Sequence, residues 1–513
     1  MTPEPENLFA VLRAGFPADL DRVAIETDDG RAYTWRDLDR ATAMMANLLE
    51  SLELPPAARI AAYVDKSVEA LLLYLATLRA GYVYLPLNNA YQATELEYFV
   101  ADAEPSVVVC PRRAFSWVCR LAFAHGVRHV FMLDADRSGS LLERAAQHSD
   151  RHEVAAKSAA DLAAILYTSG TTGRSKGAML SHGNLASNAR MLQRYWDWRP
   201  DDVLVHALPL FHVHGLFVAC HGALINGSPM LWLARFEPHA VVERLRRGTV
   251  FMGVPTHYVR LLHESSLTRE ACAGMRLFVS GSAPMLIETF REWQERTGHA
   301  VLERYGMSET AMLTSNPCRP EDGERLGGTV GLPLPGVGLR IVDDAGRTLA
   351  ADEVGQVQVQ GPSVFSGYWR MPEKTAEEFT EDGWFRTGDV GRVDATGRLT
   401  LVGRSKDLII SGGYNVYPAE VECVLNEEPG VGESAVIGVP HPDFGEAVIA
   451  VVVPRAGAAL DAAALIERLK GRIANFKVPK RVFTVDALPR NAMGKVQKNL
   501  LRTEHAGLFA EAG

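Results

Sequence analysis

Short apolar runs alternate with segments of helical period through the first half of this 513-residue chain, and that alternation constrains the fold more than any other feature. Segment 34–52, TWRDLDRATAMMANLLESL, sets Leu38, Ala41, Met45 and Leu48–Leu49 at helical spacing. RIAAYVDKS follows as a short strand, and VEALLLYLATLRAG as a second amphipathic helix with Gly81 as its stop. YVYLPLN, PSVVVC and HVFMLD read as further strands. This rhythm specifies parallel sheets with helices on their faces. Past about residue 325 it gives way to short β runs divided by turn signals, GLRIVDDAGRTLA, GQVQVQG and GRLTLVG, which form a smaller β subdomain. From about 404 the chain returns to mixed α and β. The expected class is α/β. A large N-terminal domain of helix-covered β-sheets plus a small β subdomain spans 1–403, and a compact α+β C-terminal domain spans 404–513. The boundary falls at Gly403–Lys406.

Bulk properties remove several function classes. The chain has 62 acidic and 53 basic residues, a net charge of -9, and no basic stripe for nucleic acid. Its six cysteines include no C-x-x-C pair, so zinc spacing is missing and reduced thiols in a cytosolic protein are expected. The start, MTPEPENLFAVLRAGF, has no long apolar run of the secretory kind, and no apolar stretch approaches the roughly 20 residues of a membrane span. The cytoplasm is the expected compartment.

The strongest local signal is Tyr167-Thr168-Ser169-Gly170-Thr171-Thr172-Gly173-Arg174-Ser175-Lys176-Gly177, directly after the apolar run AAIL. Glycines let backbone approach a ligand, successive N–H groups and hydroxyls can cradle phosphate oxygens, and Lys176 adds charge. It is not a Walker A loop, because Gly177 rather than Ser or Thr follows the lysine.

This segment resembles the phosphate loop of the acyl-adenylate-forming superfamily, which includes acyl-CoA synthetases, adenylation domains of peptide synthetases and luciferases. Four further segments resemble that family's motifs in the same order. They are Glu303-Arg304-Tyr305-Gly306-Met307-Ser308-Glu309-Thr310, Gly383–Asp389 (GWFRTGD), Gly403-Arg404-Ser405-Lys406-Asp407 and Pro489–Lys495 (PRNAMGK). The resemblance implies ATP, Mg²⁺ and coenzyme A as co-substrates and cofactor. ATP contacts are expected from Thr168–Gly173, Lys176, the Ser282-Ala283-Pro284 loop, Tyr305–Ser308, Thr310, Asp389, Arg404 and Lys495. Glu309 is expected to hold Mg²⁺, Asp389 the ribose hydroxyls, and Tyr305 the adenine face. Lys495 would stabilise charge developing at the carboxylate and α-phosphate. Thr168, Glu309, His212 and Lys495 form the expected catalytic set. The C-terminal domain is expected to be mobile, with Lys406 as its hinge, and Ser411, Gly412 and Gly413 would help form the path for the coenzyme A thiol.

Among the branches, the chain is most similar to malonyl-CoA and methylmalonyl-CoA synthetases, through LPLFHVHGLFVA, MGVPTHYVRLL, HAVLERYGMSETAMLTSNP, FSGYWRMPEKT, GGYNVYPAEVE and LPRNAMGKVQK. Val213 and His257 depart from that pattern. The implied reaction joins malonate or methylmalonate to coenzyme A, with release of AMP and pyrophosphate. His212, with His214 beside it, would stand at the acyl pocket, Val213 and Met312 would shape it, and a cation would hold the distal carboxylate. Arg291 is the expected cation, and Arg260 the runner-up with His257 assisting. Other readings are a short- or medium-chain fatty acid or aryl acid ligase, and a stand-alone amino-acid-adenylating domain. The latter is disfavoured because no carrier-like segment follows residue 495. A luciferase-like oxidation shares every motif, and a scaffold with a decayed ligase fold is opposed by intact Thr168, Glu309, Asp389, Arg404 and Lys495.

Overall fold

The computed structural model describes residues 6–168, 175–412, 414–491 and 494–509. Two large sheets carry the N-terminal part. In the seven-stranded sheet, Gly367–Tyr368, Lys176–Ser181 and Leu162–Thr168 pair antiparallel. Val83–Pro86, Arg59–Ala62, Val107–Cys110 and His129–Met132 extend it in parallel. The nine-stranded sheet has six parallel strands: Leu302–Met307, Leu277–Ser280, Val250–Gly253, Leu204–His206, Met230–Trp232 and Val23–Thr27. Antiparallel strands close both of its edges, where the strand–helix rhythm predicts parallel pairing.

Local chemistry sets the helices. Trp35–Glu50 starts at a capping box, in which Thr34 and Asp37 satisfy each other's backbone N–H groups. Val68–Arg79 departs from the amphipathic reading: all twelve of its residues are buried. VEALLLYLATLR carries apolar side chains on every face, the composition of a helix packed on all sides. Glu69 and Arg79 tolerate that burial because each has an ion-pair partner, Arg137 and Asp39 respectively. Gly81 follows at φ +75°, the left-handed stop expected of it.

The β subdomain is a four-stranded antiparallel sheet of Gly338–Val342, Gly355–Gln360, Phe385–Val393 and Leu399–Arg404. Its last strand runs through Arg404, one residue beyond the expected boundary, because Arg404 stays paired to Asp389 in the ladder. A short 3₁₀ turn, Ser405–Asp407, hands over to the C-terminal sheet. There the hairpin Val431–His441 and Gly445–Pro454 is flanked by Ile409–Ser411, Tyr414–Val416 and the parallel strand Arg481–Thr484. Helices Pro418–Asn426, Ala462–Lys470 and Lys498–His505 cover it and bury Val421, Leu425, Leu465, Leu469 and Leu501. The C-terminal unit thus owns two hydrophobic clusters distinct from those of the large part.

Candidate active site

The phosphate loop leaves one strand and returns on its antiparallel neighbour, with Thr168 opposite Lys176 in the ladder. Ser169, Gly170, Thr171, Thr172 and Gly173 lie outside the described residues, as does Gly413. The ends of the loop are fastened by aromatic side chains. Tyr167 donates its hydroxyl to Asp102, Tyr98 donates to the Ser175 carbonyl at 2.6 Å, and Trp369 Nε1 donates to the Asp102 carbonyl at 3.1 Å. Lys176 Nζ stands 3.2 Å from Glu378 and 4.2 Å from the centre of the Tyr368 ring.

Glu309 sits in the tight turn between Leu302–Met307 and Ala311–Ser315. The turn needs Gly306, since a Cβ there would collide with the Ala311 carbonyl, and it holds Ala311 at φ +50°. Glu309 is 5% exposed; it accepts from the Tyr368 hydroxyl at 3.1 Å and the Thr168 hydroxyl at 3.4 Å. Burial raises its pKa, against the pull of Tyr368, Arg404 and Lys176. A buried carboxylate with two neutral partners suits a divalent cation. Among the described residues no group of three acids, histidines or cysteines could form a metal cage. A Mg²⁺ ion held by Glu309 would take its other oxygens from phosphate and water.

Asp389 and Arg404 face each other across their ladder, with Nε 2.8 Å from Oδ1. The other Asp389 oxygen accepts from the Tyr305 hydroxyl. Both groups expected at the ribose and adenine are therefore joined and held in place. Met307 and Ser308 are half-buried in the turn. Thr310 is fully buried; its hydroxyl accepts from the Met307 N–H at 3.3 Å and donates to the Ala311 carbonyl at 3.2 Å. It therefore shapes the turn.

The acyl side gathers around a residue that the sequence reading passed over within its own motif. Arg304 is 3% exposed, and its Nε and Nη2 find no hydrogen-bond partner among the described residues. A Cβ on Gly281 would fall 2.5 Å from its guanidinium carbon, so the glycine gives the fork room. Next along, Ser282 adopts φ +72° and its hydroxyl lies 3.4 Å from His214 Nδ1. Ala283 and Pro284 are exposed. Burial pulls Arg304 down to about 9, which still leaves it charged at neutral pH. His212 is pushed down to about 3 by burial, then by Lys495 and Arg304; its Nδ1 is sealed without a partner among the described residues. His214 is held well below its usual value, again chiefly by burial. Val213 and Met312 are buried, and Met312 Cε lies where a Cβ on Gly306 would need to be, 2.7 Å away. His257 stacks on Phe236 with ring centres 3.8 Å apart and an interplanar angle of 6°, so it forms a wall rather than a ligand arm.

Lys495 reaches this cleft from the C-terminal unit. Asn491 and Lys495 exchange backbone and side-chain bonds that close its loop, and Gly494, at φ +74°, lies next to Thr256, whose Oγ1 would be in ordinary contact with a Cβ there. Burial lowers the Lys495 pKa first, followed by repulsion from Arg404; Asp389, Glu309 and Arg304 also act on its charge. Lys495 nonetheless remains exposed, and its charge is felt by Arg404, Asp389, Glu309 and Arg304 together. Ser411 and Gly412 sit at the turn of a C-terminal hairpin, where the Gly412 N–H donates to the Phe444 carbonyl at 2.9 Å.

Arg291 and Arg260 were the residues expected at the distal carboxylate. Both side chains are exposed on their helices. On Ile287–Thr297 the buried stripe is Thr289, Phe290, Trp293 and Thr297, and Arg291 points off it. Arg304, in contrast, is buried.

This cleft, with Asp389 paired to Arg404 and Lys495 on the C-terminal unit, belongs to an adenylate-forming architecture. The chain is a member of the AMP-binding enzyme family, whose model matches residues 15–369; the model of the AMP-binding enzyme C-terminal domain matches residues 420–495. A malonate–CoA ligase of Arabidopsis thaliana is 34% identical, with 97% of this chain and 89% of that protein covered. A feruloyl-CoA synthase of an Amycolatopsis species is 36% identical over 92% of this chain and 94% of that one. ATP-bound MatB from Rhodopseudomonas palustris is 52% identical, covers 98% of this chain and 100% of its own, and superimposes with a TM-score of 0.96. The apo crystal structure of MatB matches at 0.84 with the same identity.

Proposed function

We propose that this protein is an AMP-forming acid–CoA ligase whose acid is malonate, with methylmalonate next. ATP would lie with its phosphates along the Thr168–Lys176 loop and its ribose at Asp389 and Arg404. The acid's reacting carboxylate attacks the α-phosphorus and expels pyrophosphate, with Lys495 offsetting the charge that develops. Mg²⁺ would supply further charge neutralisation from Glu309. Coenzyme A then displaces AMP as its thiolate attacks the acyl carbon.

The observation that carries the choice of acid is Arg304: a buried, charged fork with unused donors beside His212 and His214. Such a group is costly unless a ligand completes it, and a carboxylate can bond two of its N–H groups at once. The likeness to malonate–CoA ligases and to MatB supports the same acid. Neutral His212 would add a wall that does not compete for the anion. Val213, buried and apolar, favours room for the methyl of methylmalonate.

We also read the C-terminal unit as turning between two arrangements about Lys406. Lys495 serves adenylation in the one described, and the Ser411–Gly413 turn serves thioester formation in the other. The short link Ser405–Asp407 between the two units supports such a turn. The six free cysteines suit a reducing compartment, and we assign the protein to the cytoplasm. Among the described residues no helix is long and apolar enough to cross a membrane.

Pyrophosphate release measured over malonate, methylmalonate, acetate, butyrate, ferulate and octanoate, with and without coenzyme A, tests the reading. Malonate should lead, with AMP and malonyl-CoA as products. Preference for octanoate or ferulate would remove the dicarboxylate; ADP as product would remove the ligase.

A further inference from the structure

The link between the two units is tethered on both sides. On the large side Arg404 is bound to Asp389, and the Ser405 hydroxyl donates to Gln356 Oε1 at 2.5 Å. On the C-terminal side Ile409 is buried in that unit's core, and the Ile410 N–H donates to Glu446 Oε2 at 2.8 Å. Only Lys406, Asp407 and Leu408 lie between the tethers. Asp407 is not free either. Arg502 Nη2 stands 2.7 Å from its Oδ1.

Arg502 belongs to Lys498–His505, the helix that begins three residues after Lys495. That helix is pinned to the C-terminal unit by Lys498 and Glu422 at 2.6 Å, and by Leu501, which packs into the C-terminal core. Through Arg502 the residue after the pivot is joined to the element that positions the Lys495 loop. One bond crosses the pivot itself, from the Leu408 N–H to the Ser405 carbonyl at 3.2 Å, and it must open when the pivot turns.

We propose that Arg502 is a positioning residue that confines the backbone rotation between the two arrangements to Lys406. With its ion pair made, Asp407 moves as part of the C-terminal body, and the Lys495 loop turns in step with the hinge. With the pair broken, Asp407 and Leu408 become additional soft positions, since a hinge needs only a few residues that absorb φ and ψ changes. The proposal rests on the reading of two arrangements about Lys406.

The test is a rescue. Proline at 406 fixes φ near −65°, close to that of the 3₁₀ turn seen here, so adenylation should survive while the other arrangement is obstructed. Pyrophosphate release without coenzyme A reads the first half-reaction, and thioester formation from pre-formed acyl-adenylate reads the second. Lys406→Pro should slow the second half-reaction. Adding Arg502→Gln should restore it by about fivefold, the scale of a partly exposed ion pair. Asp407→Asn, which breaks the pair from the other end, should act alike. The swapped pair Asp407→Arg with Arg502→Asp should abolish the rescue. Arg502→Gln alone should leave pyrophosphate release within about twofold. If Lys406→Pro blocks the thioester step and neither Arg502→Gln nor Asp407→Asn restores it, the role of Arg502 is refuted while the two arrangements stand. If Lys406→Pro slows nothing, the pivot at 406 falls and the clamp falls with it. Parallel loss of both half-reactions and of melting temperature in Arg502→Gln would mark a merely structural residue and also overturn the proposal.

Discussion

Arg304→Met is the most informative single change. The arginine is 3% exposed, has two unused donor atoms among the described residues, and sits against Gly281 where nothing larger fits. In the complex with malonate it would face a carboxylate away from bulk water. Truncating one partner of such a pair costs about 2–5 kcal/mol. That predicts a fall in kcat/KM for malonate of roughly thirtyfold to several thousandfold. Butyrate has no distal carboxylate to lose, and methionine offers it an apolar wall, so its kcat/KM should hold or rise. The free protein should respond in the opposite direction. A buried cation without a carboxylate is a cost that a methionine of similar length removes, so the melting temperature without ligand should increase. Arg304→Lys should recover only part of the malonate activity, because an ammonium lacks the planar fork. The assay is pyrophosphate release for both acids beside thermal melts with and without malonate. If malonate and butyrate activities fall together and the melting temperature drops, Arg304 supports the fold and the acid is held elsewhere.

Other outcomes follow from the same geometry. Glu309→Ala should slow adenylation by at least about a hundredfold and weaken the dependence of ATP affinity on Mg²⁺, read by titrating the metal; an unchanged metal dependence would place the ion elsewhere. Gly494→Ala, at φ +74° and against Thr256, should slow adenylation more than thioester formation from pre-formed acyl-adenylate; equal slowing would count against the lysine loop docking at Thr256. His212, His221 and His257 are each held at about 3, against 6.5 when unperturbed. Unfolding therefore takes up protons below pH about 6.5, and stability present above that value is lost as pH falls toward 3. At pH about 5 each neutral imidazole costs about 2 kcal/mol, so melting temperatures should drop between neutrality and that point, and a flat profile would refute the burial of these rings.

The fold was largely legible because its signals are local. Caps, apolar runs and glycine stops are written next to the elements they bound, as Thr34, Asp37 and Gly81 show. What failed were statements about direction. Segment 68–79 reads as amphipathic because it carries Glu69 and Arg79; their ion-pair partners Arg137 and Asp39 lie far along the chain. Arg291 was favoured for its place after Ser280–Pro284, yet the helical period of Phe290, Trp293 and Thr297 already excluded it from the buried stripe. Arg304 was quoted and passed over. Its orientation depends on the ladder register that sets it opposite Ser315, and on a glycine 23 residues earlier in the chain. The family motifs themselves were readable, whereas the side of the molecule that Lys495 faces required the C-terminal unit to be placed.

The C-terminal unit keeps its own hydrophobic clusters and joins the rest of the molecule through a backbone segment a few residues long. Cooperativity of unfolding requires shared buried surface, and here little of the core is shared. The molecule should therefore melt as two units whose transitions need not coincide. A ligand gripped at once by Asp389, Arg404 and Lys495 belongs to both. It would add its binding energy to the seam between them and make the two foldings behave as one. The substrate would then be, for the time it is bound, a structural component of the enzyme that consumes it.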